Sequence, residues 1–333
     1  MSVRVGIIGV GVMGADHARI LASQVPSVTI QALYDADAAR ANAIADEIGA
    51  QAVVADAAAL VRDPNVDAVL VASPDHTHKD LVLACIGARK PVLCEKPLAP
   101  TAAECLEVLS AESELGRRLV QIGYMRRFDP AHVEMKSTLL MGSLGAPLMF
   151  HCFHRNVSAP GWFDSKMAIS NSAVHEFDIA RWILDTELTG IQVFQPKAVK
   201  PDSPGAPVFL IMETSTGQLV NVEVFNGATY GYDVRGELVC ETGTVSLGTR
   251  AHTETNFNLT RGSAYPADWR PRFADAYRLQ AQAWIKAIES GTTAGASAWD
   301  GYAAAAVAEA GLQSLAESRY VAIHLVEQPA LFL

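Results

Sequence analysis

The chain opens on a short β-branched run, Val3 to Ile8, which reads as a strand buried on both faces. A glycine turn and a helical stretch to about Ser23 follow, then a second strand over Val28–Tyr34 and an alanine-rich helix over Ala38–Ile48. The alternation continues with a brief strand at Ala52–Ala55, a helix from Ala57 to Val61, a strand at Asp67–Ala72 and a helix at Lys79–Gly87. Strand Pro91–Cys94, helix Ala102–Leu115 and strand Leu119–Gly123 complete it. Strands and helices in strict alternation predict a doubly wound parallel sheet with helices on both faces.

The rhythm changes after about Gly123. Helix Pro130–Leu140, strand Pro147–His154 and helix Val174–Leu184 are followed by several strands with hairpin signals at Ser215-Thr216-Gly217 and Thr242-Gly243-Thr244. This half predicts an α/β domain with a large, mostly antiparallel open sheet, polar on one face. Residues 261–272 read as irregular, and two alanine-rich helices, about Ala274–Ser290 and Gly301–Ser318, close the chain. At 333 residues the chain is long for one core, so two domains are expected, 1–122 for a dinucleotide and 123–333 for substrate binding and oligomerisation.

Composition narrows the function classes. A formal net charge of -10 opposes nucleic acid as a partner, and the pairs Arg117-Arg118 and Arg126-Arg127 form no basic stripe. No apolar run reaches membrane-spanning length, and the first residues enter a strand at once, so neither a membrane segment nor a signal peptide is expected. Cys85, Cys94, Cys105, Cys152 and Cys240 are scattered, with no CxxC pair. They read as reduced core residues of a cytoplasmic protein, with no disulfide framework and no metal site.

Gly9-Val10-Gly11-Val12-Met13-Gly14 has the GxGxxG spacing. Gly9 permits the tight turn out of the strand, Gly11 lets the backbone approach a pyrophosphate, and Gly14 lets the helix pack on the sheet. The N–H groups of the turn, Val12 and Met13 included, and the helix dipole face the phosphates. Asp35 ends the second strand roughly twenty residues beyond the last glycine, where a carboxylate accepts from the adenosine ribose hydroxyls and repels a 2′-phosphate. NAD is therefore the expected cofactor.

Ser73-Pro74-Asp75-His76-Thr77-His78 and Glu95-Lys96-Pro97 fall at carboxyl ends of parallel strands, where open α/β sheets bind ligands. Together with the glycine turn they resemble the Gfo/Idh/MocA oxidoreductase family over essentially the whole chain. Within it, the stretches 123–129, 151–156, 175–178 and 230–233 are most similar to inositol 2-dehydrogenases. The resemblance implies a Rossmann domain followed by an α/β substrate domain, commonly a homotetramer. It also implies oxidation of a ring hydroxyl on a cyclic polyol or sugar. Ser73, Pro74, His78, Glu95 and Lys96 join the glycine turn and Asp35 as cofactor-side candidates. A dehydrogenase for another sugar or sugar acid, an NAD-using glycosidase, and a non-enzymatic NAD-binding regulator remain as competing functions.

Alcohol oxidation needs a proton acceptor, stabilisation of the developing C–O charge and a hydride acceptor. His175 is the candidate base, since an imidazole titrates near neutrality. By itself it also reads as a helix histidine bonded to a carbonyl. Lys96 is the candidate for holding the reacting oxygen, against a surface lysine paired with Glu95. Asn171, His175 and Asp178 fall at i, i+4 and i+7, so a helix places them on one face, with Asn171 a possible N-cap. Asp178 alone equally reads as a solvated helix carboxylate. His154 and Asn156 share one strand face. With Arg126, Tyr232 and, ranked lower, Tyr277, they can line a pocket for several hydroxyls. His78 also reads as a plain helix-start residue, and His17 receives no role. Inositol 2-dehydrogenases usually carry aspartate where this chain has Asn171, which supplies no negative charge to the histidine.

Overall fold

The computed structural model describes residues 2–198, 200, 203–248 and 253–333. They form two compact units, neither of them one continuous stretch of chain: Met1–Phe128 with Asp275–Ala305 and Leu325–Leu333, and Asp129–Ala274 with Ala306–His324.

The first unit holds β1 (Val3–Ile8), α1 (Val12–Gln24), β2 (Val28–Tyr34), α2 (Ala38–Ile48), α3 (Ala57–Arg62), β3 (Ala68–Val71), α4 (His78–Gly87), β4 (Val92–Cys94), α5 (Ala102–Leu115) and β5 (Val120–Ile122). The strands make a five-stranded sheet in the order β2-β1-β3-β4-β5, every pair parallel. The apolar runs are buried because helices cover them, as the alternation predicts. The brief strand expected at Ala52–Ala55 is only a bridge, Val53 to Leu33, because the chain there touches the sheet at one residue before turning into α3. Polar caps set the helix limits. The Asp37 side chain accepts from Arg40 N at the start of α2, and those of Asp56 and Thr101 cap α3 and α5 in the same way.

One carboxylic acid is fully buried in this unit. Glu112 on α5 accepts from the N–H groups of Leu119 and Val120 and so ties the helix to the start of β5. Burial pushes its pKa up to about 7, with the two N–H bonds opposing. Its folded pKa lies above the unfolded value, so its contribution is complete below about pH 4 and is lost as pH rises to 7. The loss amounts to about 3 kcal/mol. Denaturant titrations between pH 4 and 8 should show this decline, and Glu112→Gln should flatten it. An unchanged slope in the variant would show that Glu112 is not its source.

The second unit begins with α6 (Pro130–Leu140), β6 (Pro147–Arg155), α7 (Ser165–Met167) and α8 (Val174–Leu184). Then come β7 (Leu188–Phe194), β8 (Val208–Thr214), β9 (Leu219–Phe225), β10 (Asp233–Cys240), β11 (Thr244–Ser246), β12 (Thr255–Phe257) and β13 (Thr260–Gly262). In chain order helices α9 (Trp269–Ser290) and α10 (Ala298–Glu317) follow, with residues 275–305 belonging to the first unit, and the short β14 (Val321–Ala322) completes the second. Seven strands form a mixed sheet, β11-β10-β6-β9-β8-β7-β14, antiparallel except for the β6–β9 pair. The expected turns at 215–217 and 242–244 connect β8 to β9 and β10 to β11. Residues 261–272, expected to be irregular, instead contain the end of a two-stranded hairpin, β12–β13, and the first turn of α9. The polar, fully exposed sequence of that hairpin carries no apolar alternation to reveal it.

Helix α9 bends at Phe273 (φ -115°, ψ 17°), and beyond it Ala281, Trp284 and Ile285 join the core around Val5, Ile7, Leu33 and Leu70 of the first unit. Among the described residues no helix is long and apolar enough to cross a membrane. All five cysteines are free and buried, and burial holds the Cys85 thiol up at about 12.

Candidate active site

The first unit carries a cradle at the carboxyl end of its sheet. Gly9 has φ +87°, and a β-carbon there would lie 2.6 Å from the Ala72 carbonyl oxygen. At Gly14 a β-carbon would come within 1.9 Å of the Gly9 carbonyl, so helix and turn touch backbone to backbone. Gly11 differs, since its nearest neighbour is Arg40 Nη1 at 3.8 Å. Gly11 also caps α1 with no side-chain hydrogen bond, leaving the first-turn N–H groups, those of Val12 and Met13 among them, for an outside acceptor. Asp35 stands beside this turn. Its Oδ2 accepts from Val10 N at 2.8 Å and its Oδ1 from Asp37 N at 2.8 Å, which fixes the carboxylate while each oxygen keeps a lone pair. Space at Gly11, open N–H groups and a fixed carboxylate fit the phosphates and ribose of a dinucleotide.

The loops after β3 and β4 are laced together. His78, almost wholly buried, places Nδ1 2.7 Å from the Pro97 carbonyl and Nε2 2.8 Å from that of Ser73, so both ring nitrogens are engaged by the chain's own backbone. The Ser73 hydroxyl bonds that of Thr77 at 2.6 Å, and Pro74 precedes the short turn Asp75–Thr77. Lys96 is half-buried and joined to Pro97 by a cis peptide bond. Its backbone N–H donates to Glu95 Oε2 at 3.2 Å. The other oxygen of Glu95 meets His17 Nε2 at 2.6 Å. His17, given no role by the sequence, is therefore part of this edge. Burial works to raise the Glu95 pKa, but the His17 contact and the Lys96 charge hold it below the usual carboxylate range. Arg126 is buried in the turn Met125–Phe128, and Tyr277 sets its ring edge-on to that of His17.

In the second unit the polar candidates gather on α8 and around the adjoining ends of β6 and β10. Ten of the eleven residues of α8 are buried, and four of those are ionisable: His175, Glu176, Asp178 and Arg181. Such groups are seldom buried unless paired or used. Arg181 has its partner in Glu187, through two hydrogen bonds of 2.5 and 2.6 Å. Glu176 meets His154 Nδ1 at 3.0 Å. That contact directs Nε2 of His154 toward Asn156, whose Nδ2 lies 3.4 Å away. Asn156 donates to Asn226 Oδ1 at 2.5 Å, and Asn226 donates to the Ser172 hydroxyl at 3.2 Å. The His154 ring stands 6.2 Å from that of His175 and 6.4 Å from that of Tyr232. His154, Asn156, His175 and Tyr232 thus meet in one cluster.

Asp178 is wholly buried, so it is not the solvated carboxylate that its spacing alone allowed. Asn171 is not an N-cap. The helical path already starts at Asp164, whose side chain accepts from Lys166 N and Met167 N, and runs through α7 and a π turn, Ala168–Ser172, into α8, where Ala173 is the cap. Asn171 lies within that π turn, a wider coil that shifts its face relative to His175. Glu176, Asn226 and Ser172 escaped the sequence reading. The signal at Glu176 was an acidic residue inside an otherwise apolar helix, whereas Asn226 and Ser172 carry none.

Fold and cradle define a dinucleotide-binding protein, and the family match makes it an oxidoreductase. Residues 3–124 match the Gfo/Idh/MocA model described as oxidoreductase family, NAD-binding Rossmann fold, and residues 136–323 match its C-terminal alpha/beta domain. Inositol 2-dehydrogenase 1 of Saccharopolyspora erythraea is 50% identical, covering 100% of this chain and 99% of its own. Inositol 2-dehydrogenase of Mycolicibacterium smegmatis is 41% identical over 98% of each. Among solved structures, myo-inositol dehydrogenase from Lactobacillus casei in complex with NAD(H) and myo-inositol superposes with a TM-score of 0.96, at 32% identity over 100% of both chains. The chain belongs to the Gfo/Idh/MocA oxidoreductase family, and its cofactor is NAD.

Proposed function

We propose that this enzyme oxidises a ring secondary hydroxyl of a cyclic polyol, myo-inositol to its 2-keto form, with NAD as oxidant. The observation that carries the reading is similarity to proteins named inositol 2-dehydrogenase over the full length of both units. In this reading the glycine turn and Asp35 hold the dinucleotide, with Ser73, Pro74, His78 and Glu95 shaping the adjoining edge. Bound NAD supplies the hydride acceptor. The His175 imidazole takes the hydroxyl proton, and the Lys96 ammonium holds the oxygen as negative charge develops on it. His154, Asn156, Asn171, Asp178, Tyr232 and Arg126 bind the remaining hydroxyls. Glu176 supports the assignment for His154, because its carboxylate fixes the tautomer that points Nε2 outward from the pair.

The test is direct. Purified protein with NAD is offered myo-inositol, scyllo-inositol and glucose while NADH absorbance is followed. Turnover of an inositol supports the reading, and bound NAD with no turnover of any cyclic polyol defeats it. Asn171→Asp adds a negative charge one helical turn before His175. It should raise the acidic limb of the pH–rate profile by about one unit, because an anion favours the imidazolium. An unmoved limb in a folded, NAD-binding variant would show that position 171 does not act on the base.

The assembly we propose is a homotetramer. On one face of the seven-stranded sheet Phe194, Phe209, Ile211 and Leu219 are exposed side by side across β7, β8 and β9, an apolar surface suited to a second copy. Light scattering after size exclusion tests it. Five free buried thiols suit a reducing compartment, so the cytoplasm is the proposed location.

A further inference from the structure

We propose that His17 is a positioning residue for Lys96: it holds the Glu95 carboxylate, and the carboxylate fixes the backbone and the charge environment of the lysine. The chain of contacts is short. Helix α1 begins at the phosphate turn and carries His17 on its buried side, 1% exposed. Its Nε2 meets Glu95 Oε1 at 2.6 Å, and Glu95 Oε2 accepts from Lys96 N at 3.2 Å. Gly123 lies beside the same carboxylate: a β-carbon there would sit 3.0 Å from Cδ, Oε1 and Oε2 alike, so the glycine leaves the carboxylate the space it occupies.

Stability alone does not call for such a pair. A buried hydrogen-bonded pair replaced by apolar side chains of the same shape can be nearly neutral or stabilising. What a leucine at either position lacks is an oriented negative charge one residue from Lys96. His17 also has no second polar task, since its Nδ1 is buried without a hydrogen-bond partner among the described residues. The groups facing the pair are few. Tyr277 on α9 sets its ring 5.6 Å from that of His17. The Cys94 thiol donates to the Glu95 carbonyl at 3.3 Å and stays neutral, since burial holds its pKa well above the usual value. Lys96 is the remaining charge acting on the carboxylate. The Lys96 charge thus helps keep the Glu95 carboxylate ionised, and His17 secures the anion.

The proposal rests on Lys96 being the ammonium that holds the reacting oxygen, and its test does not depend on turnover. The acetylation rate of Lys96 by limiting acetic anhydride is followed against pH by peptide mass mapping of the full-length protein. Wild type is compared with His17→Phe and His17→Gln. Phenylalanine leaves the carboxylate without its donor and loosens its hold beside Lys96, so the midpoint of Lys96 reactivity falls by about one pH unit. Glutamine, whose amide can donate to the same oxygen, keeps it within about 0.3 unit. The kcat of His17→Phe should fall about tenfold, with the KM for NAD changed less than about twofold. If His17→Phe does not fold, Glu95→Gln keeps the contact, removes the charge and must lower the same midpoint. A wild-type midpoint in His17→Phe, or in Glu95→Gln where that variant stands in, overturns the proposal. A shifted midpoint in a protein that turns over no polyol leaves the positioning role standing and defeats the polyol reading instead.

Discussion

His175→Ala should lower kcat for polyol oxidation by about a thousandfold, the middle of the range for loss of a general base. The variant should still bind NAD with wild-type affinity. His175 is 9% exposed on α8, and the polyol reading gives it the proton-accepting task. The nearby imidazole of His154 is not a ready substitute, since its Nδ1 is held by Glu176 and its ring centre is 6.2 Å away. Truncation should destabilise the fold by only about 1–2 kcal/mol, the ordinary cost of a buried substitution that leaves neighbouring packing intact. The acidic limb of the kcat/KM profile should disappear together with the rate. A variant keeping more than about a tenth of wild-type kcat would remove His175 from the base role.

Gly14→Ala is the second large effect. Its β-carbon would lie 1.9 Å from the Gly9 carbonyl oxygen and 2.8 Å from the carbonyl carbon, and this backbone cannot yield as a flexible side chain would. The helix must move off the turn. Hydrogen bonds from the turn to a charged phosphate are worth about 1.5–3 kcal/mol each, so the Kd for NADH, read by fluorescence titration, should rise on the order of a hundredfold. The melting temperature should fall as well, because overpacking costs about 1–3 kcal/mol. Gly11→Ala makes the contrast. With only Arg40 Nη1 at 3.8 Å, its β-carbon finds room in the protein, so stability should hold while affinity drops. Full NADH affinity in Gly11→Ala would mean that the open side of the turn is not where the pyrophosphate lies.

The parallel sheet and most of the cradle were legible because each step has a local signal. β-branched runs mark buried strands, and three glycines have three separate steric reasons. Asp35 was legible as a strand-end carboxylate beside the glycine turn, but its bonds to Val10 N and Asp37 N were not, since a side chain bound to backbone leaves no periodic trace. The polar cluster was half legible. Strand parity put His154 beside Asn156, whereas Glu176 and Asn226 enter through packing between elements distant in sequence. The i, i+4, i+7 pattern pointed to α8 but missed the π turn, because apolar spacing cannot distinguish an N-cap from a helix that widens by one residue. Nor does the periodicity of α9 state which core its apolar face will join.

The tie between Asp35 and Val10 bears on coenzyme engineering. Removing the carboxylate to admit a 2′-phosphate also removes the acceptor that anchors the phosphate turn. Such a redesign would weaken grip on both coenzymes at once. It would need a new anchor for the Val10 N–H before Arg40, already 3.8 Å from the carboxylate, could serve as the phosphate's counter-charge.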